Sequence, residues 1–149
     1  MKSKVNEIKV SYCEKLGIID TPKLSDSAIA ARVLHQNCNN DTIGLRETFK
    51  VLLLNNANRV KGTFQVSDGG IVGTVVDVRI LFAVVLKTLS VGIILAHNHP
   101  SGTLKPSASD KAITEKIKRA GELFDVKVLD HLIIAPDGTF FSFADNGLI

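Results

Sequence analysis

Apolar residues recur along this chain with two different periods, and the change from one period to the other marks out its elements. Val91 to Ala96 (VGIILA) is a short, continuous apolar run of the kind a fully buried strand shows. Glu47 to Leu54 and Arg59 to Val66 also read as strands, and Asn55, Asn56, Ala57 and Asn58 between them supply turn residues, so this pair predicts a hairpin. Val126 to Ala135 (VKVLDHLIIA) predicts another buried strand. The following PDGT at Pro136 to Thr139 has turn composition, and Phe140 to Phe143 would be the hairpin partner. Near the start, Ile8, Val10 and Tyr12 alternate with polar residues and predict a strand over Val5 to Tyr12.

Helical spacing appears three times. After Pro22 breaks the chain, a helix is expected from a cap at Ser25 or Ser27 through Leu34, with His35 as a residue of its C-terminal end and the loop chemistry of Asn37 to Asp41 beyond it. A second helix is expected over Val78 to Leu89, with Asp77 as its cap and Ile80, Leu81, Val84, Val85 and Leu86 buried. A third begins at Ser107, from which Ile113, Ile117, Ala120 and Phe124 form one apolar stripe. Ser67 to Gly73 (SDGGIVG) reads as a flexible connection whose glycines match no phosphate-binding loop. The order strand, helix, hairpin, helix, strand, helix, hairpin predicts an α/β fold, a mixed β-sheet with helices on both faces.

Composition changes this picture little. A chain of 149 residues fits a single domain large enough to bury a core, and 45% hydrophobic with 22% charged residues are ordinary globular values. No apolar stretch approaches a membrane span and MKSKVNEIKV has no apolar signal region, so a cytoplasmic protein with no membrane partner is expected. Cys13 and Cys38, widely separated and without metal-like spacing, read as reduced thiols. The formal charge of +3, from 18 basic and 15 acidic side chains, is spread without a long basic run. Its densest group, Lys111, Lys116, Lys118 and Arg119, reads as the solvated face of the third helix, which leaves DNA weakly supported as a partner.

The chemistry concentrates in Leu95 to Asp110 (LAHNHPSGTLKPSASD). Alternation along a strand sends His97 and His99 the same way and Asn98 the opposite way. Pro100 stops the strand and Gly102 permits a sharp loop, which returns the chain to Ser107. Asp110, in the first turn of the third helix, can then lie beside the two imidazoles. His97, His99 and Asp110 would make three protein ligands with a fourth position open, the arrangement of a catalytic zinc site. Ser107-x-x-Asp110 is by itself also a helix capping signal, and cap and ligand are compatible roles. Asp130 and His131 allow two readings: a second shell or second site, or a hydrogen-bonded polar pair ending a sheet.

HNHPSG at His97 to Gly102 followed by S-x-x-D at Ser107 to Asp110 resembles the JAMM metalloprotease signature, and in particular the bacterial RadC family. The resemblance continues through RETFKVLLLN at Arg46 to Asn55, VLDHLI at Val128 to Ile133 and SFADNGL at Ser142 to Leu148, covering roughly residues 43 to 149. It implies a three-layer JAMM fold similar to that of cytidine deaminase. Deaminase activity is disfavoured, because neither H-x-E nor P-C-x-x-C is present. Residues 1–42 are expected to add a strand and a helix to a RadC-like domain over 43–149, a short form without the helix-hairpin-helix module that many RadC-like proteins carry.

The resemblance further implies a zinc-dependent hydrolase that cleaves a peptide or isopeptide bond in a protein or peptide substrate. Glu47, matching the glutamate of the R-E-x-F pattern, would be the general base, and Ser107 would donate a hydrogen bond to the oxyanion. RadC-like chains usually carry Pro-Arg where this one has Val78 and Arg79, so a loop-positioning role for Arg79 is in doubt. Two alternatives follow from the same resemblance: a DNA repair or recombination accessory, with metal-dependent nuclease chemistry, and a non-catalytic JAMM-fold interaction module.

Overall fold

A computed structural model describes residues 6, 7, 9, 11–70 and 74–149, and its centre is the apolar run that follows Ser90. Strand β3 (Gly92–Asn98) is buried at every position, which explains why its sequence is continuously apolar rather than alternating. β1 (Thr48–Leu54) pairs with it antiparallel on one side and β4 (Lys127–Ile134) pairs parallel on the other. β2 (Val60–Asp68) joins β1 and β5 (Phe140–Ser142) joins β4, both antiparallel, so the mixed sheet runs β2-β1-β3-β4-β5. The parallel pair needs a crossover, and α3 (Ala108–Glu122) supplies it.

Helices cover both faces, as the order of elements requires. On one face Leu52, Leu54, Ile94, Ala96, Leu132 and Ile134 pack on Ala30, Ala31 and Leu34 of α1 (Ser27–Gln36). On the other, Phe49, Val51, Leu53, Ile93 and Leu95 meet Leu81, Phe82 and Val85 of α2 (Val78–Lys87) and Ile117 of α3. Each Val, Leu, Ile or Phe among them taken out of water is worth roughly 1.5–3 kcal/mol. At the C-terminal end of α3 the chain turns back so tightly that a Cβ on Gly121 would lie 2.5 Å from the Val126 carbonyl oxygen, and only glycine fits there. Among the described residues no helix is long and apolar enough to cross a membrane.

One irregularity in β4 positions the site. Ile93 pairs with Val128 but Ile94 pairs with Asp130, so Leu129 is an extra residue in the ladder. Because side chains alternate with a period of two, the slip exchanges faces. Val128 belongs to the α2/α3 side, whereas Asp130 turns with Leu132 toward α1, and His131 turns toward α3.

Local details differ from the sequence expectations in several places: of the connection expected over Ser67 to Gly73, Ser67 and Asp68 belong to β2 and residues 71–73 lie outside the described residues. The cap of α1 is Asp26, whose carboxylate accepts from the Ile29 N–H at 2.8 Å, and neither Ser25 nor Ser27 fills that role. In α2, Ile80 and Leu86 are exposed and Phe82 is buried in their place, since the helix presents a narrower stripe than its sequence offers. Phe124 lies past the end of α3 and is half exposed, beside Phe82. Of the expected strand over residues 5–12, Val5, Ile8 and Val10 lie outside the described residues, and the described members carry no strand.

Candidate metal centre

The two histidines reach one place because the strand pairing outlasts the strand. His97 is in β3, and the main-chain N–H of His99 continues the ladder by donating to Ile134 O at 3.0 Å. Their Nε2 atoms approach to 2.9 Å. The chain then turns at Gly102, whose φ of 78° is left-handed and whose N–H donates to His99 O at 2.9 Å. The turn sends residues 103–106 back to the start of α3.

Ser107 and Asp110 form a reciprocal capping box there. The Asp110 N–H donates to Ser107 Oγ at 3.0 Å, and the Ser107 N–H donates to Asp110 Oδ2 at 2.6 Å. That leaves Oδ1 turned to the histidines, 3.3 Å from His97 Nε2, while Oδ2 is 3.8 Å from His99 Nε2. One carboxylate therefore caps the helix with one oxygen and faces the site with the other. Ser107 itself is exposed and acts here as the cap.

Glu47 arrives from the opposite side of the sheet's end. Its N–H donates to Gly70 O at 3.1 Å and its carbonyl accepts from the Gly69 N–H at 2.8 Å. One ligand atom each from Glu47, His97, His99 and Asp110 all lie within 4.8 Å of one another. Asn98, between the two histidines, faces away and is fully buried. Its Nδ2 donates to Ile43 O at 2.7 Å and Arg46 O at 2.9 Å, and its Oδ1 accepts from the Thr48 N–H at 2.8 Å and the Thr48 hydroxyl at 2.9 Å. All four hydrogen-bonding positions of the amide are used, and they clamp the chain on both sides of Glu47.

This donor set fits a divalent cation. His99 Nδ1 lies 2.6 Å from Thr103 O, which can only accept, so Nδ1 is the donor and Nε2 is the ring nitrogen left to ligate. Ligand atoms about 2.0–2.1 Å from a tetrahedral zinc are about 3.3 Å apart. The separations of 2.9 Å between the two Nε2 atoms and 3.3 Å from His97 Nε2 to Asp110 Oδ1 are close to that value. Burial acts to raise the Asp110 pKa, and the Ser107 N–H donating to Oδ2 acts to lower it by favouring the carboxylate, the form that ligates.

Behind His97 stands a second buried imidazole. His97 Nδ1 is 2.8 Å from His131 Nε2, and His131 Nδ1 is 2.6 Å from Thr114 Oγ1. His131 is stacked on Phe143 and meets the edge of Phe49, and desolvation in this setting pushes its pKa well below the ordinary histidine value. Asp130 is on the other face. It accepts from the Ser142 hydroxyl at 2.6 Å and the Ala144 N–H at 2.9 Å, fixing the C-terminal turn. The two readings of the Asp-His pair therefore divide between its members: His131 backs the site and Asp130 is a structural residue.

A cleft of about 250 Å³ opens beside the site, lined by Glu47, Phe49, Val76, His97, Asp110 and Ile113 among others. A larger one, about 460 Å³, lies at the other end of the parallel strands, around Lys118, Lys127 and Val128, away from the metal donors. Chemistry, not size, decides between them, and the smaller cleft is at the carboxyl ends of the parallel pair where α/β sheets place their ligands. Arg79 extends into solvent, pairing with Asp77 at 3.0 Å in the first turn of α2.

The roles of Thr114 and Asn98 escaped the sequence, which allows His131 a supporting role behind the site without deciding it. Thr114 is four residues from Asp110 and so shares its helix face, His131 interrupts a buried apolar run, and Asn98 sits in a buried strand. Each is a buried polar residue that needs partners, which is the only signal the sequence offers.

Residues 24–148 match the family model described as a RadC-like JAB domain. The chain is 56% identical over 102 residues to a UPF0758 protein of Flavobacterium johnsoniae, covering 68% of this chain and 44% of that one. It is 43% identical over 104 residues to a UPF0758 protein of Porphyromonas gingivalis, covering 70% of this chain and 46% of that one. The matched region thus spans less than half the length of these curated relatives.

Proposed function

Since the chain belongs to the RadC-like JAB domain family, we propose that it is a zinc-dependent hydrolase acting on a peptide or isopeptide bond. The observation that carries this reading is the convergence of Glu47, His97, His99 and Asp110, with ligand atoms within 4.8 Å of one another, beside a cleft of mixed polar and apolar lining. His97, His99 and Asp110 hold the ion. Zinc bound there supplies Lewis acidity, lowering the pKa of a water toward roughly 7 and polarising a carbonyl.

The remaining work falls to the chain's own side chains. Glu47, fixed by Gly69, Gly70 and the Asn98 clamp, takes a proton from the attacking water and passes it to the leaving amine, a role typically worth 10²–10⁴-fold. Ser107 donates its hydroxyl hydrogen to the oxyanion of the substrate carbonyl, a contribution of about 3 kcal/mol. Phe49, Val76 and Ile113 line the cleft and keep bulk water from the reacting carbonyl.

A protein or peptide is the favoured partner. DNA has weaker support, because the formal charge of +3 is spread without a long basic run and Arg119 of the α3 group is paired with Glu115 at 2.8 Å. A scaffold without catalysis is disfavoured because every donor type is in place. Cys13 and Cys38 are both free thiols, in keeping with a cytoplasmic setting.

The test is hydrolysis of a panel of peptides and isopeptide-linked lysines by the zinc-loaded full chain. Glu47→Gln, His97→Ala, His99→Ala and Asp110→Asn should each abolish turnover. Turnover that survives all four substitutions would end the proposal.

A further inference from the structure

We infer that His131, itself fixed by Thr114, is a positioning residue that holds His97 in the one tautomer able to ligate a metal. The inference rests on the metal reading of the site given above. It follows from which groups in the network can only accept.

Asp110 contributes a main-chain carbonyl, an acceptor only, and the Thr114 hydroxyl donates to it at 2.6 Å. Thr114 has a single hydroxyl hydrogen, so toward His131 Nδ1 at 2.6 Å its oxygen must accept. His131 Nδ1 is therefore the donor to Thr114 Oγ1, and with the ring's proton there its Nε2 offers a lone pair. His97 Nδ1, 2.8 Å away, must then be the donor. With its proton on Nδ1, His97 presents a bare Nε2 to the site, 3.3 Å from Asp110 Oδ1.

The relay starts at the Asp110 carbonyl and passes through Thr114 and His131 to His97, whose Nε2 faces the carboxylate of the same Asp110 at 3.3 Å. It therefore ties the first turn of α3 to β3 through β4 and fixes the direction of one ligand's lone pair. Reversing every proton in the relay would put a hydrogen on His97 Nε2, where the cation belongs, and would leave the Asp110 carbonyl without this donor. The β4 irregularity at Leu129 is what brings His131 to this face.

The test measures zinc affinity of the full chain by competition with a chromophoric chelator, beside nitrogen NMR of the histidine rings in the metal-free protein. Thr114→Val removes one hydroxyl at nearly constant shape and should weaken zinc binding by about 10- to 100-fold. His131→Phe should do the same, and Thr114→Ser, which restores the hydroxyl, should bind as the parent does. In the metal-free parent, His97 should show a protonated Nδ1 and a bare Nε2, with the Nε2-protonated form appearing in Thr114→Val. Should His131→Phe fail to fold, Thr114→Val and the parent's spectrum still decide. Parent-like affinity in Thr114→Val, or a proton on His97 Nε2 in the parent, would overturn the inference alone. A parent that binds no zinc would overturn the metal reading and this inference with it.

Discussion

His97 and Asn98 are neighbours on one strand, both almost wholly buried at 3% and 2% exposure, and their hydrogen-bonding inventories are opposite. Asn98 uses all four of its positions on protein partners. His97 uses Nδ1 on His131 and turns Nε2 toward another imidazole and a carboxylate, groups that also present lone pairs. A buried polar residue that is fully satisfied belongs to the architecture. One that converges with other acceptors points to a missing cation. The alternation of a single strand thus separates the scaffold from the chemistry by one residue.

That contrast can be broken by exchanging the two residues' consequences. Asn98→Ala should have the largest effect on stability, about 3 kcal/mol in urea unfolding, because it strips partners from Ile43, Arg46 and Thr48 at once. It should nevertheless keep a zinc-dependent rise in stability. His97→Ala should show the reverse. Zinc at 100 times its dissociation constant stabilises the parent by about 2.7 kcal/mol, and that increment should vanish, while the metal-free variant loses less than Asn98→Ala does. Equal losses in the two metal-free variants would erase the distinction.

Glu47→Gln sharpens the same comparison at its small end. Glu47 is held by its main chain, so the substitution should leave stability within about 0.5 kcal/mol and zinc stoichiometry intact, as unfolding and metal analysis would show. Only turnover should fall. A substantial loss of zinc in this variant would make Glu47 a ligand rather than a base.

The parts of this account legible in the sequence are those written in local periodicity. β3 was readable because burial on both faces demands an unbroken apolar run, and the convergence of His97, His99 and Asp110 was readable because two residues on one strand and one in the next helix's first turn are separated by a short loop. Glu47 entered only through the family pattern, since nothing in a strand-end glutamate announces a partner 50 residues later. The His131 relay was hidden by the extra residue at Leu129, which sends Asp130 and His131 to the faces they occupy, and a single ladder irregularity leaves no mark in an apolar pattern. The Asp26 cap was missed because Ser25, Asp26 and Ser27 are all capping residues in a row, so the choice rests on backbone geometry alone.

The central claim is that His97, His99 and Asp110 form an open zinc site, and elemental analysis of the purified chain beside His97→Ala/His99→Ala tests it most directly. The account predicts about one zinc per chain in the parent and none in the double variant, with both folded by circular dichroism. A parent that stays empty after zinc is supplied, or a double variant that retains the metal, would contradict it.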